Sequence, residues 1–101
     1  PAPSVAQPRP HGVAAVVRAV TSERVRAAGV RFGGPPRVSG GRLVIGLRDR
    51  RGRILVIVHA TPAAAAAARR AADARAGNVL VRGAAPASRN AIAEAIRTSG
   101  S

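Results

Sequence analysis

The 101-residue chain carries seventeen basic residues against four acidic ones, a formal charge of +13 at neutral pH, and it has no cysteine. A chain of that length makes one domain with a modest core, and a field of that sign draws polyanions: RNA, DNA or an anionic membrane surface. Disulfides and thiolate metal sites are excluded. So is the aromatic stacking platform of single-strand binders, because Phe32 is the only aromatic residue. Every basic residue is arginine, so every cation has the planar fork that grips phosphate in two places and stacks on bases. The longest uncharged apolar run, Ile54 to Ala68, is broken by His59 and Pro62 and is too short to span a bilayer. The chain opens on Pro1 rather than Met, which reads as a processed or trimmed amino terminus.

Residues 1–12 form a proline-rich arm, with four prolines and Arg9 in the first ten positions. Residues 13–39 are left without a fold assignment as a segment. Val13, Val16, Val17 and Val20 fall at helical spacing, yet the stretch is Val-rich enough for a strand. Thr21 or Ser22 offers a cap for a short helix over 22–28 that stops at Gly29. Gly33 to Gly41, with two Gly-Gly pairs around Pro35-Pro36, predicts a loop.

An α/β core is expected over residues 40–101. Leu43, Ile45 and Leu47 alternate with Val44, Gly46 and Arg48, a strand with a buried face. Asp49-Arg50-Arg51-Gly52 is a turn, with Asp able to accept backbone hydrogen bonds and Gly open to positive φ. Ile54 to Val58, five apolar residues without alternation, is a strand covered on both faces. The two make a β-hairpin over 42–48 and 53–59.

Thr61-Pro62 opens a helix, Thr at the N-cap and Pro in the first turn, and the helix is expected to run to Ala76 with Gly77 as its left-handed cap. Asn78 to Val81 is a short strand, Gly83 to Ala87 a loop, and Ser88 caps a last helix with Ile92 and Ile96 four apart. Strand, strand, helix, strand, helix predicts a single α/β domain: a mixed sheet with a hairpin and a right-handed crossover.

Catalysis is poorly provided for. Four acids are too few to expect the paired carboxylates that hold catalytic metals. His11 and His59 have no thiol or acidic partner nearby in sequence, and the Gly-Gly pairs lack the Lys and spacing of a phosphate-cradling loop. No catalytic residue, metal site, cofactor or small-molecule substrate is expected, and no helix pairs a basic face with a bulky apolar one as a membrane-surface role would need.

The cations are better organised. Arg48, Arg50, Arg51 and Arg53 crowd the hairpin tip around Asp49, a probe for a groove or junction in folded RNA. The segment from Arg82-Gly83 to Ser88-Arg89 would offer backbone N–H groups and a helix start to a phosphate, with Arg on either side. Gly83 is there either to let a phosphate approach or to take a conformation open only to glycine. Arg42, His59 and Thr61 complete the expected RNA contacts.

Asp49-Arg50-Arg51-Gly52, Thr61-Pro62 with Ala63–Ala68, Val79-Leu80-Val81-Arg82-Gly83 and Arg89-Asn90-Ala91-Ile92 stand in that order over about residues 40–97. The ordered set resembles the small-subunit ribosomal protein S-eleven family. That family's Gly- and basic-rich segment before Thr-Pro is reduced here to His59-Ala60, as in a shortened version of the kind mitochondrial ribosomes carry; a bacterial or plastid ribosome is the alternative setting. The resemblance implies an RNase H-like topology, no enzymatic activity, and a place on the platform of the small subunit. Its partners there would be ribosomal RNA, bound through phosphates, and neighbouring small-subunit proteins. The large-subunit protein L-eighteen is similar in fold, but Thr61-Pro62 and the missing Asp before Arg82-Gly83 favour S-eleven. A free-standing nucleoid or DNA-binding protein is the alternative outside the ribosome, against which stands the lack of an evident helix-turn-helix.

Overall fold

The computed structural model describes residues 11–83 and 85–98, so the proline-rich arm lies, up to Pro10, outside the described residues. Helix α1 (Val13–Val20) buries Val16, Ala19 and Val20 on one stripe, the helical option for this Val-rich stretch. Helix α2 (Glu23–Ala27) buries Val25; the Ser22 hydroxyl before it donates to the Ala19 carbonyl at 2.6 Å instead of capping it. Gly29, at φ 86°, turns the chain into the sheet.

Strands β1 (Arg31–Phe32) and β2 (Arg37–Ser39) follow, interrupted by Gly33-Gly34-Pro35-Pro36. Both run antiparallel along one edge of β3 (Arg42–Asp49), so the loop expected over Gly33 to Gly41 contains a strand. Strand β4 (Gly52–Val58) pairs with β3 from Leu43↔Val58 to Asp49↔Gly52, the hairpin that the alternation predicts. Its turn is fixed by the Asp49 carboxylate, whose Oδ1 accepts from the backbone N–H groups of Arg51 at 2.8 Å and Gly52 at 3.2 Å.

Helix α3 (Pro62–Ala68) starts as expected: Thr61 Oγ1 accepts from the Ala64 N–H at 3.1 Å, and Pro62 sits where no N–H is needed. It ends eight residues earlier than expected. Arg69 leaves the helical region with ψ 132°, and the Asp73 carboxylate takes the Arg70 N–H at 2.9 Å. Ala74–Ala76 then forms strand β5, and Gly77, left-handed at φ 59°, lies in the two-residue turn to β6 (Val79–Arg82) rather than at a helix end. Helix α4 (Pro86–Thr98) begins at Pro86, not Ser88; Ser88 lies within its first turn and is buried.

The six strands form one sheet in the order β1-β3-β4-β6-β5, with β2 beside β1 on the same edge of β3. Every ladder among the described residues is antiparallel, which corrects the mixed sheet expected. The physical reason is where α3 delivers the chain. Two successive antiparallel pairings make β5 run in the direction of β4, but one position further out. The Gly77-Asn78 turn then folds β6 back into the gap, hydrogen-bonded to both.

Asn78 fastens that turn: its side chain accepts from the His11 N–H at 2.6 Å and donates to the His11 and His59 carbonyls at 3.1 and 2.8 Å. The result is a single α/β domain. One sheet face (Ile45, Leu47, Ile54, Val56, Val79, Val81) packs on Val16, Val20 and Val25 of α1 and α2 and on Ile92 and Ile96 of α4. Burying each of those larger side chains contributes about 1.5–3 kcal/mol. The opposite face is covered only in part, where Ala65 of α3 meets Ile57 and Leu80.

Candidate nucleic-acid interface

Strand side chains alternate between faces, and the register puts every strand arginine on the same side. Opposite Leu47, Ile54 and Val81 of the main core, the second face bears Arg31, Arg37, Arg42, Arg48, Arg53, Arg75 and Arg82. Arg31, Arg48 and Arg53 form one cross-strand row over three adjacent strands. Like charges directly opposite each other destabilise a sheet by roughly 0.2–1 kcal/mol a pair, so this row favours an anion above it.

Not every one of these cations is available. Arg82 donates from Nε and Nη2 to the Asp73 carboxylate, at 3.0 and 2.8 Å, and Asp73 is buried. Hydrogen bonding to Arg82 holds the Asp73 carboxyl below its ordinary range, more than offsetting the opposing effect of burial, and the same bond raises Arg82. Arg31 turns back to the carbonyl of Arg26 in the last turn of α2 and to that of Val30, and Arg75 donates to the Gly77 carbonyl. Among the described residues, the guanidinium groups of exposed Arg37, Arg42, Arg48 and Arg53 on the face, and of Arg50 and Arg51 at the tip, bond to no protein group.

The two cationic segments singled out in the sequence converge. Buried Ser88 at the start of α4 donates to Asp49 Oδ2 in the hairpin turn, and that bond is the largest influence holding the Asp49 carboxyl below its usual range. Arg89 Nη1 donates to the Gly83 carbonyl at 3.1 Å. Gly83 has φ 97°, and a Cβ there would stand 2.5 Å from the Arg53 carbonyl. Its lack of a side chain thus answers to the β4 backbone and to a left-handed conformation. Within the proposed phosphate cradle over 83–88, Ala84 lies outside the described residues.

Two further expected contacts are Thr61 and His59. Thr61 caps α3. His59 is 5 % exposed, its Nε2 has no protein partner, and burial, aided by Arg42 and Arg82, pushes its pKa down. Arg37 was missed; nothing in the sequence around Pro35-Pro36 announces that residue 37 enters the sheet.

A groove of about 650 Å³ runs across the open face, floored by Val44, Gly46 and Leu55 and edged by Arg37, Arg48 and Arg53. A second hollow, about 690 Å³, lies beside β5, but there Arg75, Arg89 and Arg97 already bond to protein carbonyls. Among the described residues no cluster of His, Cys, Asp and Glu could hold a metal ion, and no helix is long and apolar enough to cross a membrane. Comparison with protein-family models, with curated proteins and with solved structures finds no match.

Proposed function

We propose that this chain is an RNA-binding structural protein that holds ribosomal RNA of the small subunit through phosphate contacts along its open sheet face. The observation that carries the proposal is the gathering of Arg37, Arg42, Arg48 and Arg53 on one face beside Arg50 and Arg51 at the tip, all exposed and with guanidinium groups that have no protein partner. A rigid sheet edged by unpaired guanidinium forks suits phosphate contact and shape recognition more than base-edge readout.

The ordered S-eleven motifs over residues 40–97 support the ribosomal setting, in a mitochondrial ribosome by the shortened His59-Ala60 segment. The antiparallel β4–β6 ladder differs from the RNase H-like topology that the resemblance implies. The contact surface proposed is therefore the arginine face of this chain, not one transferred from the family. Tagged protein should co-sediment with small ribosomal subunits through moderate salt washes. Equal recovery with large subunits or with DNA would overturn the small-subunit assignment, and no recovery with any RNA would overturn the proposal.

A further inference from the structure

The floor of the open-face groove has a hole in it. Gly46 lies mid-strand in β3, paired with Leu55 on one side and accepting the Gly33 N–H at 2.8 Å on the other. Its φ is not among the positive ones, and a Cβ there would meet no atom within 4 Å. Neither backbone conformation nor packing within the protein calls for glycine at this point. Glycine inside a strand often marks a place where a ligand comes close.

Around the hole, Val44 and Leu55 present partly exposed aliphatic surface, Pro35 walls the far side, and the Arg48–Arg53 pair closes the tip end. Gly46 and Arg48 are two residues apart, about 7 Å along the strand, comparable with the reach from base to phosphate within one nucleotide. An aliphatic floor with guanidinium groups beside it accepts a flat, uncharged ring, and the forks accept an anion. A perfect duplex presents phosphates but no such ring.

We infer that this groove seats one unpaired nucleotide of an RNA, its base over Gly46 and Leu55 and its phosphate held by Arg48 and Arg53. The inference rests on the RNA-binding reading above and names the ligand of that same face. An extruded base reaches the floor and rests its face on the aliphatic surface of Val44 and Leu55, where single-strand binders use aromatic side chains.

The test compares a short RNA hairpin carrying one bulged adenosine with the same hairpin lacking the bulge, against wild type and Gly46→Leu. Wild type should prefer the bulged RNA by about tenfold, the scale of one seated base. Gly46→Leu fills the hole without touching a charge, so it should abolish that preference while the protein still binds the unbulged hairpin. A preference that survives Gly46→Leu, or no preference in wild type, overturns the nucleotide seat while binding to the unbulged hairpin upholds the broader RNA reading. Binding to neither hairpin overturns both. Circular dichroism checks that the variant folds. Independently of any variant, 2-aminopurine at the bulge should brighten when wild type binds, and unchanged emission would overturn the seat. Excess adenosine monophosphate should leave the complex intact; displacement at stoichiometric amounts would reassign the groove to a free nucleotide.

Discussion

Arg48 and Arg53 stand directly opposite each other on β3 and β4, both exposed and neither guanidinium group bonded to another protein group. The pairing costs the sheet stability, and no acid among the described residues relieves it by an ion pair. Replacing both with Gln should therefore raise the thermal stability of the isolated protein, by roughly 0.2–1 kcal/mol. The same change should weaken RNA binding by about tenfold or more, since charge-assisted hydrogen bonds are lost. Thermal unfolding and a binding titration on one preparation check both signs; a variant that loses stability and keeps its affinity would contradict the assignment.

Arg82 behaves in the opposite way. Asp73→Asn keeps an acceptor for the Arg70 N–H but leaves the half-buried Arg82 guanidinium without its carboxylate. The expected cost is about 1–2 kcal/mol, seen as a lower denaturation midpoint, with little change in RNA affinity once the variant is folded. A large affinity gain on freeing Arg82 would mean that it reaches RNA.

Gly83→Val should act on folding first. The φ of 97° and the 2.5 Å approach to the Arg53 carbonyl leave no room for a Cβ without moving β4, at a cost of about 1–3 kcal/mol. Of the two roles that the sequence leaves open for Gly83, this favours the conformation open only to glycine over room for a phosphate. Normal stability with lost binding would favour the phosphate role instead.

Three groups have folded pKa values displaced downward: His59, chiefly by burial, Asp73, chiefly by Arg82, and Asp49, chiefly by Ser88. In each case the unfolded chain binds more protons than the folded one, so stability rises with pH across the affected window. The His59 contribution is complete above the ordinary histidine pKa of about 6.5 and is lost as pH falls below it. The aspartate contributions are complete above about 3.9 and are lost as pH falls through their depressed folded values. Denaturation midpoints should fall between pH 7 and 5, and His59→Leu should flatten that first loss while leaving the steeper one in acid.

The hairpin was legible because its signals are local: alternation in β3, the Asp49-Arg50-Arg51-Gly52 turn, and the β-branched run in β4. Thr61-Pro62 was equally plain as a helix start. Ala74-Arg75-Ala76 was not, because its residues favour helix and only pairing with β6 makes it a strand. β1 and β2 are two and three exposed residues whose place depends on the edge of β3. The four Arg at the tip could be read from their spacing, whereas the single arginine-bearing face could not. It exists only once the register of six strands is fixed, and so does the distinction between Arg48, which faces solvent, and Arg82, which faces Asp73.

The central claim is that the open sheet face neutralises RNA phosphates. It is tested most directly by the salt dependence of affinity for a folded RNA, measured for wild type and for Arg37→Gln/Arg48→Gln/Arg53→Gln. At about 0.9 released counterions per cation, the double-helix value, six contacting arginines give a log–log slope of about −5, and removing three should flatten it to about −3. A shallow wild-type slope, or one that the triple variant leaves unchanged, would contradict the account.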